Sequence, residues 1–130
     1  MYRVGHPNPY IFNVDYARFE LEVVAASQRQ PILVDFWADW CAPCHALAPH
    51  LVRVVDEQAG SVRLAKVEVD EGENMKLAGH YRLRGFPTVI LFQGGQERGR
   101  FSGSRSTPQV RDWLDAHLDP NEDTPARKSS

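Results

Sequence analysis

The chain of 130 residues carries 2 cysteines, standing three positions apart in Trp40-Cys41-Ala42-Pro43-Cys44, with His45 directly after. Thiols at this spacing can exchange a dithiol for a disulfide, contribute to a metal site or, read with His45 as C-x-x-C-H, anchor a c-type haem. Structural zinc takes about four ligands, and the other histidines are scattered without a second pair at metal spacing. Haem attached in this way needs a second axial ligand in a helix-rich pocket, whereas strand and helix patterns alternate along this chain. As a staple the pair would close too short a loop to remove much chain entropy. Dithiol chemistry is the reading that uses both cysteines, and neither a cofactor nor a metal is expected.

The flanking elements decide how that chemistry runs. Ile32–Trp37, reading ILVDFW, is a β-branched and aromatic run with one acid inside, the pattern of a strand buried on both faces. After the cysteines, Ala46, Leu47, Leu51, Val54 and Val55 recur at helical spacing until Gly60, and Pro49 predicts a kink by removing one backbone donor. Cys41 therefore lies at a strand-to-helix turn, where unpaired amides and the positive end of the helix dipole favour a thiolate. Cys44, one turn further on the same helix face, can attack a mixed disulfide formed at Cys41. The expected division is an exposed attacking thiolate at Cys41 and a shielded resolving thiol at Cys44. Asp35 is the anomaly of the strand. A carboxylate in apolar surroundings holds its proton more tightly and can take that of Cys44 through water.

Elsewhere the hydrophobic period switches between strand and helix values. Residues 10–13 predict a short edge strand, and residues 15–27 a helix with Asp15 as N-cap and Phe19, Val23 and Val24 on its apolar face. A strand over 63–69, a short helix over 74–81 and a buried strand over 88–92 follow. Gly94-Gly95 then turns a hairpin into 96–101, and Ser106 with Gln109 offers a capping box for a last helix bearing Val110, Trp113, Leu114 and Leu118.

At 42% hydrophobic the chain can bury one core without staples. The expected organisation is an irregular leader over 1–9, one domain over 10–118 and a disordered tail over 119–130, which lacks aromatic and β-branched aliphatic residues. A formal net charge of −2 gives no field that would favour nucleic acid or an anionic membrane. His6, Pro7, Pro9, Asp15, Arg18 and Glu20 interrupt any apolar leader, so the protein is expected in the cytoplasm.

WCAPC after ILVDFWADW, with RLRGFPTVILF downstream, resembles the thioredoxin family, whose usual motif reads WCGPC. The resemblance spans residues 10–118. It implies an α/β thioredoxin fold, a central mixed sheet of about five strands flanked by about four helices. It also implies protein-disulfide oxidoreductase activity in cell redox homeostasis and electron transport. Within it Asp35 matches the buried strand acid, Lys66 its partner lysine, Pro87 the cis-proline facing the cysteines and Gly103 a glycine of the substrate groove. Trp40, Ala42, Pro43 and Phe86 complete the expected client-binding face, with the Phe86 backbone placed to pair with a substrate strand. Asp35 then has two readings, proton acceptor for Cys44 or ion-pair partner of Lys66. Three positions depart from the pattern: Ala42 replaces the usual glycine, His45 the usual lysine or arginine, and Arg82 adds positive charge near the substrate face. His45 is either a tuner of the Cys41 thiolate or a solvated surface residue.

Expected partners are disulfide-bearing client proteins and a thioredoxin reductase, the chain itself being a monomer. The competing reading is a redox-linked co-chaperone that binds chaperone clients on the same fold. PYIFNVDYARFELEVV resembles thioredoxin domains that continue into tetratricopeptide repeats, although no such repeat follows Leu118.

Overall fold

The computed structural model describes residues 8–120. Expectations for the leader and tail at 1–7 and 121–130 lie outside the described residues. In chain order the elements are β1 (Ile11–Asn13), a helical stretch over 16–28 that begins as α1 (Tyr16–Phe19), β2 (Ile32–Trp37), α2 (Ala42–Glu57), β3 (Arg63–Glu68), α3 (Met75–His80), β4 (Thr88–Gln93), β5 (Gln96–Ser102) and α4 (Thr107–His117).

The strands form one five-stranded sheet in the order β1-β3-β2-β4-β5. β1 and β2 both run parallel to β3, while β4 is antiparallel to β2 and β5 antiparallel to β4. This is the α/β architecture that the resemblance implied. The apolar run of β2 is explained by its central place: it has a strand on each edge, and Ile32 through Phe36 are all buried.

Side-chain alternation in β2 divides the core. Ile32, Val34 and Phe36 pack with Phe19 and Val23 from the first helical stretch. Leu33 packs on the other side with Leu47, Leu51, Val54 and Val55 of α2 and with Val110, Trp113 and Leu114 of α4. Both faces of the sheet are thus covered, and β2 delivers its C-terminal end to the cysteine turn.

Local signals are met where they are chemically explicit. The Asp15 side chain accepts from the Arg18 amide at 3.0 Å. The Ser106–Gln109 capping box has both of its bonds. Gly94 and Gly95 have φ of 65° and 78°, and Gln93 pairs with Gln96 across them; this is the backbone that a two-residue hairpin turn requires. One expectation changes. The stretch 16–28 is α-helical only in its first turn, widens to a π-helix over Glu20–Ala25 and tightens to a 3-10 turn over Ala26–Gln28. α2 runs through Pro49 as a single helix of 16 residues.

Candidate functional site

The site is built at the handover from β2 to α2. Cys41 is the N-cap of α2, in extended backbone, and its Sγ accepts from the Cys44 amide at 3.2 Å. Pro43 occupies the first turn, where a missing N–H costs no helical bond. Cys41 and Cys44 are joined as a disulfide, with their Cα atoms 5.3 Å apart. Both are buried, at 4% and 2% relative exposure. The expected contrast of an exposed Cys41 with a shielded Cys44 is therefore slight in this oxidised form. Cys41 is enclosed because the Phe86 carbonyl oxygen lies 3.5 Å from its Sγ. The two cysteines differ instead by position, one capping the helix and the other inside its first turn.

Around the disulfide, Ala42, Pro43 and Trp40 are exposed, and Phe86 is half-buried. The Trp40 indole N–H donates to Asp70 Oδ2 at 2.6 Å, and its ring meets Phe86 edge-on at 6.2 Å. The Phe86–Pro87 bond is cis. Thr88 Oγ1 holds this turn by donating to the Gly85 carbonyl at 2.7 Å. Gly103 has a φ of 86°, which favours glycine, and its N–H donates to the Pro87 carbonyl at 2.9 Å. The loops bearing Phe86 and Gly103 are thereby tied together.

Asp35 lies in register with Lys66 across β2 and β3. It is 1% exposed, and its Oδ2 stands 4.0 Å from Lys66 Nζ. Oδ1 has no hydrogen-bond partner among the described residues. Burial pushes the carboxyl up to about 6, against an opposing pull from the Lys66 charge. Lys66 also lies over the Trp37 ring, 4.9 Å from its centroid. A cleft of about 470 Å³, lined by Lys66, Trp37, Asn13, Arg18, Glu68 and Asn74 among others, opens on the Lys66 side chain.

His45 is exposed, with its Nε2 2.7 Å from the Asp39 carbonyl oxygen and its ring edge-on to Trp37. The structure thus gathers Trp40, Cys41, Ala42, Pro43, Cys44, Phe86, Pro87 and Gly103 at one end of the sheet, with Asp35 and Lys66 beneath in neighbouring strands. Sequence reading passed over Asp70 and Thr88. Asp70 meets Trp40 across thirty positions of chain, so no local pattern could reveal it; Thr88 lay within the recognised FPT segment, with only its hydroxyl as a hint.

An α/β sheet that presents a two-cysteine disulfide at a helix N-terminus, beside an exposed tryptophan and a cis-proline turn, is the architecture of a dithiol–disulfide exchange protein. The profile of the family described as Thioredoxin matches residues 11–116. A thioredoxin of Acidithiobacillus ferridurans is 41% identical over 100 residues, covering 77% of this chain and 89% of that protein. A thioredoxin of Pseudomonas aeruginosa is 38% identical over 109 residues, covering 84% of this chain and 97% of that protein. A protein of Mycobacterium leprae named bifunctional thioredoxin reductase/thioredoxin is 43% identical over 79 residues, which are 61% of this chain and 17% of that protein. The chain belongs to the thioredoxin family, and it is a protein-disulfide oxidoreductase. The co-chaperone reading is not favoured, since relatives matched over nearly their whole length carry the thioredoxin name. No helix among the described residues is long and apolar enough to cross a membrane.

Proposed function

We propose that this monomeric protein reduces disulfides of client proteins in the cytoplasm, with Cys41 as the attacking thiolate and Cys44 as the resolving thiol. The observation that carries the assignment is the Cys44 amide donating to Cys41 Sγ at the start of α2, a donor that favours negative charge on that sulfur. The Cys41 thiolate attacks one client sulfur, forming a mixed disulfide and releasing the other client sulfur as a thiolate. Cys44 then loses its proton and attacks Cys41 Sγ. The second client thiolate leaves, and the Cys41–Cys44 disulfide remains. Two electrons pass to the client, and a dithiol donor must return them.

Asp35 is the acceptor for the Cys44 proton, because its carboxyl, held near pH 6 by burial, can both take and release a proton close to neutrality. Lys66 limits that rise by its charge. Trp40, Ala42, Pro43, Phe86 and Gly103 form the face on which a client segment docks, and Pro87 sets the turn that brings the Phe86 carbonyl to Cys41. The relative that combines both activities in its name supports a thioredoxin reductase as electron donor.

Cys44→Ser should accumulate mixed disulfides with client proteins on non-reducing gels, and Cys41→Ser should trap none. Equal trapping by the two variants would reverse or abolish the assigned roles. Equilibration of the intact protein with glutathione decides direction: a potential more oxidising than the glutathione pool would overturn the reductant reading.

A further inference from the structure

Arg82 stands where the backbone disfavours it. Its φ is 56°, in the left-handed region that suits glycine, yet the position holds a long cation with an exposed side chain. The segment around it is firmly held. Arg100 Nη1 donates to the Tyr81 carbonyl at 2.9 Å, and the Leu83 amide donates to the Ala78 carbonyl at 2.9 Å. With Leu83 packed against the core, Arg82 and Arg84 are turned out on either side of it. Neither arginine has an ion-pair partner among the described residues. The acid that follows on β5, Glu97, is taken by Arg100.

Both arginines precede Phe86 by a few positions, in the segment that brings its carbonyl to Cys41 Sγ. Arg105 follows Gly103 by two positions, its guanidinium 4.4 Å from the Phe101 ring centroid. The Trp40 side has the opposite sign. Asp70 holds the Trp40 indole, Asp39 lies between Trp37 and Trp40, and the neighbouring Glu68 is held above its ordinary value first by desolvation and then by Glu71, Asp39 and Asp70.

We propose that the client groove is electrostatically polarised, with Arg82 and Arg84 selecting client segments that place acidic side chains on the Phe86 side of the attacked disulfide and basic or neutral ones on the Trp40 side. The inference rests on the exchange reading above and supplies its client class. Charges of this kind act on encounter and register, so they discriminate between clients and are screened by salt.

The test uses two disulfide peptides of identical composition and net charge, one with acidic residues before and basic residues after the attacked cysteine, the other with that order reversed. Single-turnover reduction by the full chain should differ about tenfold between them at low salt, the scale of modest steering, and less at high salt. Arg82→Gly, which suits the left-handed backbone, combined with Arg84→Gln should bring the ratio of the two rates closer to one. Arg82→Gly with Arg84→Glu, which leaves acids on both sides of the groove, should bring it closer still to one. Equal rates on the unaltered protein, or an unchanged ratio in the first double variant, overturn the proposal. Failure to reduce either peptide or a small neutral disulfide such as hydroxyethyl disulfide would instead overturn the exchange reading, and this inference with it.

Discussion

Asp35 is the residue at which stability and the proposed chemistry pull apart. Its carboxyl is buried in β2, with Oδ1 unpartnered among the described residues and Lys66 4.0 Å from Oδ2. Desolvation therefore outweighs the attraction of Lys66, and the folded state holds the proton more tightly than the unfolded state does. A raised folded value contributes stability that is complete below the unfolded value of 3.8 and is lost as pH climbs through about 6. That difference corresponds to roughly 3 kcal/mol lost by neutral pH. Asp35→Asn cannot ionise, so the oxidised variant should be more stable than the unaltered protein above pH 6 by an amount of that order and nearly equal to it below pH 4, where its amide and the protonated carboxyl are both neutral. Denaturant unfolding across pH measures this. The same variant should slow the step in which Cys44 releases the client, read by single-turnover kinetics. A variant less stable at neutral pH and equally fast would leave Asp35 as a partner of Lys66 alone.

At the scale of elements, α2 organises the reacting sulfurs. Its first turn lacks one amide at Pro43 and aims another, that of Cys44, at Cys41 Sγ. The aligned dipoles of the helix add to this donor, and both stabilise a thiolate at the N-cap. In the reduced protein Cys41 should therefore titrate below the ordinary thiol value of about 8.5, and below Cys44, which caps nothing. Thiolate absorbance followed against pH, with each cysteine replaced in turn, separates the two; a Cys41 value at or above the ordinary one would remove the helix from the account of reactivity. The helical stretch over 16–28 shows the limit of reading elements from periodicity. Phe19 and Val23 are buried as their spacing requires, but that spacing does not distinguish an α-helix from one that widens to π over Glu20–Ala25.

Across the whole molecule the proposed client-binding face is assembled from segments distant in sequence, and the layer beneath it must be rigid for them to meet. α4 closes that layer. Trp113 is packed edge-on against Phe101 of β5 at 4.9 Å and lies 4.9 Å from the His117 ring. Phe101 in turn precedes the loop that carries Gly103 to Pro87. Trp113→Ala should cost about 3 to 5 kcal/mol of unfolding free energy, as large aromatic truncations in cores do. Calorimetry or denaturant unfolding checks this. A loss below about 1 kcal/mol would mean that α4 is not part of the cooperative core.

The sequence by itself determined what depends on neighbours along the chain. Element order followed from hydrophobic period, the start of α4 from the Ser106–Gln109 box, the hairpin from Gly94-Gly95 and the redox pair from the spacing of Cys41 and Cys44. Each is encoded within about a turn or two of backbone, where side-chain chemistry and dihedral preference act directly. Asp35 was legible as an anomaly because a lone acid interrupts an apolar run, while Lys66, Pro87 and Gly103 were legible only through family resemblance. Tertiary structure alone decided the β1-β3-β2-β4-β5 order, the register that sets Asp35 opposite Lys66, the Asp70 bond to Trp40 and the enclosure of Cys41 by the Phe86 carbonyl. The last three of these join residues about 30 or more positions apart, and they exist only once burial of the whole core has repaid the entropy of bringing the chain segments together.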